Sequence, residues 1–189
     1  NTAIKSQFIW IRAGSLTAGN TTSPFNYTLD ITLNGNKNDP GFVIDPSTAG
    51  SKFMVVTGNL SLIAPAPATT WTRLTAKASP GDTTIQVAKT SGWAVGDEIV
   101  IAPSFSTHTQ YEKVTITAVT STSVTFTPAL NFTHFGDANP TVSNNYGVLD
   151  MRAGVGHVSR KIRIIRGADS NGWGFRVLVY GFMDGNISR

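Results

Sequence analysis

The residues of this 189-residue chain best suited to acid–base or metal chemistry are its three histidines. Imidazole titrates near neutrality and ligates metals readily. His108, His134 and His157 lie in three separate segments, with none of the i, i+2 or i, i+4 spacings that a strand or helix turns into a paired ligand set. No metal site is expected from them. Asp97 and Glu98 form an adjacent acidic pair, but neighbours entering a strand point to opposite faces and cannot share a substrate as acid and base. Asp97 is better placed to accept backbone hydrogen bonds in the turn before that strand. Ser104, Ser106 and His108 supply a nucleophile and a base, yet neither a G-x-S-x-G elbow nor an orienting acid accompanies them. Phosphate loops of the G-x-G-x-x-G or G-x-x-x-x-G-K-[ST] type are absent. Cysteine is absent too, which removes disulfides and thiolate chemistry. The expectation is a chain with no catalytic residues, no metal and no cofactor.

Two other sets of residues carry functional chemistry. Five N-x-Ser/Thr sequons, at Asn20, Asn26, Asn59, Asn131 and Asn186, sit beside Gly, Pro or short polar stretches, where a surface turn could accommodate an N-linked glycan. The net charge of +4 is concentrated at one end: residues 150–189 hold seven Lys/Arg against three Asp/Glu. Arg152, Arg160, Lys161, Arg163 and Arg166 make up most of that excess. Arginine forks pair with carboxylate or sulfate, so Arg160, Lys161, Arg163 and Arg166 are candidates for binding an acidic polysaccharide. The structural alternative is that charges on the outward face of a strand keep an edge soluble. Nucleic acid is not an expected partner, because no basic stripe is interleaved with exposed aromatics.

The elements that position these residues are strands. Charged residues make up 14% of the chain and hydrophobic ones 40%, with a mean hydropathy of −0.02, a balance typical of a folded protein. No apolar run approaches the roughly 18 residues of a membrane-spanning helix, so no membrane insertion of this segment is expected. Starting at Asn1 with no leader, the sequence is expected to be cut from a longer one. Short alternating runs broken by Gly, Pro, Asn and Asp predominate. Phe8 to Ala13, Tyr27 to Leu33 and Phe53 to Ile63 recur at an interval of about two dozen residues, as successive rungs of a right-handed β-solenoid would. A β-sandwich fits the same pattern. After the Ala64 to Ala68 stretch, closer strands at Ile85 to Val87, Ile99 to Ile101, Lys113 to Val119 and Val124 to Phe126 suit a small antiparallel barrel. Tyr146 to Arg152, Lys161 to Ile165 and Val177 to Tyr180 return to the first style. The predicted fold is all-β: solenoid rungs over 1–68, an inserted β-barrel over 69–136, and rungs again over 137–189.

Trp71-Thr72-Arg73-Leu74, the run Gly92-Trp93-Ala94-Val95-Gly96-Asp97 with its following strand, and Phe132-Thr133-His134-Phe135-Gly136 resemble, in order and spacing, the G-eight domain. That domain occurs in fibrocystin-type proteins and in hyaluronan-degrading cell-surface and secreted proteins. Leu149 to Ile162 is similar to the segment that leads, in those proteins, into a long parallel β-helix. The resemblance spans residues 9 to 180. It implies an extracellular or cell-surface glycoprotein module, and makes His134 a packed residue that closes the barrel. Two functions follow as expectations: a structural or adhesive module whose partners are further copies or further β-helix of the same polypeptide, or the N-terminal portion of a hyaluronidase-type enzyme.

Overall fold

The computed structural model describes residues 1–44, 47–137, 143–144, 147–148, 150–168 and 172–180. It is all-β; among the described residues the one helical element is a 3-10 turn at His108–Gln110. The strands are β1 (Thr2–Ser6), β2 (Phe8–Ile11), β3 (Ser15–Ala18), β4 (Leu29–Leu33), β5 (Phe42–Ile44), β6 (Ser47–Gly50), β7 (Phe53–Val56), β8 (Asn59–Leu62) and β9 (Trp71–Arg73). They continue as β10 (Thr84–Gln86), β11 (Glu98–Ile101), β12 (Glu112–Val119), β13 (Ser123–Thr127), β14 (Ser143–Asn144), β15 (Gly147–Val148), β16 (Gly154–His157), β17 (Ile162–Arg166) and β18 (Arg176–Val179). Two compact units result, one of Asn1–Pro65 with Arg160–Arg189 and the other of Ala66–Ser159. The second unit runs on past residue 136 because β16 pairs antiparallel with both β11 and β9.

In the first unit the strands stack parallel and in register. Thr2 lies opposite Leu29, and Leu29 opposite Ile162. Phe8 lies opposite Phe53, which lies opposite Arg176, and Ser15 lies opposite Asn59. The even spacing of Phe8, Tyr27 and Phe53 suggested one strand per layer. That reading needs correction, since the Phe8 strand stacks on the Phe53 strand and the Leu29 strand on the Thr2 strand. The parallel pairs fall into separate sheets, β1-β4-β17, β18-β7-β2 and β3-β8, and an antiparallel hairpin, β5–β6, intervenes between β4 and β7. Interval alone could not reveal this, because parallel partners are chosen by side-chain stacking and the connections between them vary in length.

Alternation sets which faces are buried. Leu29, Ile31 and Leu33 of β4 are buried while Asp30 and Thr32 are partly exposed, as a period of two requires. Strand β7 is apolar at every position for a different reason. Met54 and Val56 join the core of Ile11, Ile31 and Leu33, whereas Phe53 and Val55 face a second cluster with Trp10, Phe42 and Leu178. Phe8 stacks on Phe42 and Phe53 at centroid distances of 5.1 and 5.4 Å.

The second unit is built on one sheet in the order β10-β13-β12-β11-β16-β9. Ile85, Ile99, Ile101, Val114, Ile116, Val124, Phe126 and Val155 alternate onto its inner face. The two outer strands approach one another at a bridge between Leu74 and Val87. Thr75 N–H donates to Gln86 O, and Ala88 N–H to Arg73 O.

Candidate functional site

One buried polar group of the second unit, a carboxylate with four partners, is one that sequence reasoning passed over. Glu112 opens β12 and shares its inward face with Val114 and Ile116, and all three are buried. Its Oε1 accepts from the backbone N–H and the side-chain amide of Asn131, at 2.7 and 3.1 Å. Its Oε2 accepts from Phe132 N–H at 3.1 Å and lies 2.8 Å from His134 Nε2. His134 is fully buried, and its Nδ1 faces Ala102 O at 2.9 Å. A carbonyl only accepts, so Nδ1 carries a hydrogen. Burial pushes the Glu112 carboxyl up, but the Asn131 N–H, the His134 ring, the Phe132 N–H and the Asn131 amide outweigh it and hold it below the ordinary glutamate value. With Phe135 N–H donating to Ser104 Oγ at 2.6 Å, this clamp fixes residues 131–135 against 102–112. The period-two alternation of Glu112 with Val114 and Ile116 was the available signal.

A second pairing surrounds Trp93. Its indole is buried, with Nε1 donating to Thr69 O at 2.7 Å, and packs 5.8 Å from the His157 ring. His157 Nε2 lies 3.0 Å from Asp97 Oδ2, an electrostatic contact outside hydrogen-bonding geometry. Asp97 Oδ2 also accepts from Ala94 N–H at 2.8 Å. Gly92, at φ +85°, admits the turn into Trp93 where a Cβ would strike Ala68 N and Pro67 Cα. Glu98 turns instead to Lys113, 2.7 Å away. The two adjacent acids thus serve separate partners. His108 is exposed on the 3-10 turn, and the three histidines do not converge; among the described residues no group of His, Asp and Glu has the form of a metal site.

Two of the basic residues form arginine forks within the fold. Arg163 on β17 forks onto Asp30 of β4, with Nε and an Nη each 2.7 Å from a carboxylate oxygen, and the fork holds the Asp30 carboxyl below its usual range. Arg152 forks onto Asp150, which also receives Arg73 at 3.2 Å; the Arg152 fork is the main reason the Asp150 carboxyl lies far below its usual range. Arg160 and Arg166 have interactions of their own, and Lys161 is exposed. Lys52, which precedes β7, is buried, its Nζ donating to Trp173 O at 3.0 Å.

Among the sequons, Asn20, Asn26 and Asn59 are exposed. Asn20 Oδ1 accepts from Thr22 N–H, Thr22 Oγ1 and Ser23 N–H, the side-chain turn typical of Asn. Asn131 differs, because its amide nitrogen donates to Glu112. Asn186 lies outside the described residues.

Comparison with known proteins finds a family match over the N-terminal part. Residues 1–75 match the G8 domain. The G8 match ends just beyond Trp71-Thr72-Arg73-Leu74, and wider similarity carries on past it. Fibrocystin-L of Mus musculus is 35% identical over 168 residues, 87% of this chain and 4% of that protein. A G8 domain-containing protein of Dictyostelium discoideum is 30% identical over 190 residues, 94% of this chain and 12% of that protein. The chain therefore spans a small fraction of the relatives it matches. Among solved structures, the Gp54 tailspike of Acinetobacter baumannii bacteriophage AP22 aligns over 86% of this chain and 23% of its own, at 12% identity and a TM-score of 0.37.

Proposed function

We propose that this chain is an extracellular or cell-surface structural module of a longer glycoprotein, built from β-solenoid layers with an inserted small barrel, and that it works by adhesion and assembly. The observation that carries this reading is the use made of the ionisable groups. Glu112 with His134, Asp97 with His157, and Arg163 with Asp30 each tie one strand or loop to another. The Leu74–Val87 bridge supports a closed barrel, and the in-register parallel ladders support solenoid layers.

Among the described residues, β1, β2 and β3 each have one unpaired side, as do β17 and β18. Open strand edges are stable only when covered or paired. Further layers of the same polypeptide are the natural cover, consistent with relatives many times longer than this chain. Exposed sequons and the similarity to fibrocystin-L support the extracellular placement.

The native protein is expected to carry N-linked sugar on Asn20 or Asn59. Intact mass before and after glycosidase treatment reads this directly, with Asn20→Gln and Asn59→Gln removing one glycan mass each from an occupied site. An unchanged mass after treatment of native material would overturn the glycoprotein assignment.

A further inference from the structure

We propose that the groove between the Phe105–Gln110 segment and the Asn131–Thr133 loop of the second unit binds a chain of uncharged sugars. The groove is open, about 540 Å³ in volume, and wholly within the second unit. Phe105, Ser106, Thr107, Gln110, Asn131 and Thr133 line it. With Phe132 and Pro80 they complete a lining that carries no charge: two aromatic rings, of which Phe105 is the exposed one, a proline, two side-chain amides and three hydroxyls. Phe105 is 60% exposed, and a ring held in water gains by stacking on an apolar surface. A hexose presents such a surface on its C–H face and hydroxyls around its rim, which amides and hydroxyls can both donate to and accept from. An acidic ligand would find no cation in this lining.

The walls are held by the buried clamp, which distinguishes the groove from a space between loose loops. Glu112 takes the Asn131 and Phe132 N–H groups on one side. His134 Nδ1 reaches Ala102 O, and Ser104 Oγ takes Phe135 N–H, beside the segment that carries Phe105. Gln110 N–H closes the 3-10 turn onto Thr107 O at 3.2 Å. Both walls are therefore anchored through one dry pair, and a ligand has little ordering cost to meet on binding.

This inference deepens the adhesive reading by naming a partner class and rests on it. The test uses the isolated chain, so its failure is separate from failure of the extracellular placement, which the mass measurement reads. A glycan on Asn131 would fill the same groove, so the full chain is produced in a host that adds no N-linked sugar. Calorimetric titration then uses cellohexaose, laminarihexaose, mannohexaose and a hyaluronan hexasaccharide as probes. At least one neutral hexasaccharide should bind, Phe105→Ala should weaken that binding by about tenfold or more, and Phe8→Ala, in the first unit, should leave it unchanged. Melting temperature checks that Phe105→Ala is folded. The proposal is overturned by no binding to any neutral probe at about 10 mM, by binding confined to the hyaluronan probe, or by binding that survives Phe105→Ala.

Discussion

Glu112→Ala lowers the stability of the second unit by about 3–5 kcal/mol, the range for removing one member of a buried network built on a carboxylate. The loss comes from four contacts at once, because the Asn131 N–H and side-chain amide, the Phe132 N–H and the His134 ring all lose the carboxylate, and buried polar groups left without partners are costly. His134→Ala should fall in the same range, and the double variant should lose less than the sum of the two, since contacting residues are not additive. Urea denaturation followed by hydrogen exchange in second-unit peptides measures all three. A loss under about 1 kcal/mol for Glu112→Ala would show the clamp to be incidental. The same carboxyl gives the unit an acid-side dependence. Its folded pKa lies below the ordinary 4.5, so its contribution is fully present above that value and is lost as pH falls through the folded pKa. Stability of Glu112→Gln should therefore fall less steeply in acid than that of the parent.

Trp93→Ala should cost about 3–5 kcal/mol, as for other large aromatic side chains removed from a core. The ring is buried at the start of the turn into β11, bonded to Thr69 O and packed on His157. Trp93→Phe separates the contributions: it retains most of the apolar volume but leaves Thr69 O without its donor, for about 1–3 kcal/mol. Equilibrium denaturation of both variants checks this. Equal losses would mean that the hydrogen bond dominates, and a negligible loss for Trp93→Ala would mean that the ring contributes nothing to the core.

Much of the second unit could be read from sequence because its strands alternate cleanly and its turns carry Gly and Asp. Ile99, Ile101, Val114, Ile116, Val124 and Phe126 were placed by periodicity, and Asp97 by the needs of its turn. What escaped was β16, where Gly154 and Gly156 suppress strand propensity and only Val155 and His157 point inward. Glu112 escaped because a carboxylate at a strand's start reads as solvent-facing until its face is counted. In the first unit, composition could identify strands but not their stacking partners. Those partners are separated by loops of unequal length, and Asp30 with Arg163 shows the consequence: 133 residues apart in sequence, they form one bidentate pair between the neighbouring strands β4 and β17. Arg163, read in sequence as one of a run of basic residues, is thus committed to a carboxylate that the sequence places far from it.

We propose that the ionisable groups of this chain hold a structural module together and perform no reaction. Hyaluronan chain length after prolonged incubation with the purified chain, read by gel electrophoresis and by new reducing ends, tests that claim most directly. No shortening and no new reducing ends are predicted. Shortening that is abolished by Asp97→Asn, in a variant shown to remain folded, would contradict the structural account and assign the chain to a polysaccharide-degrading enzyme.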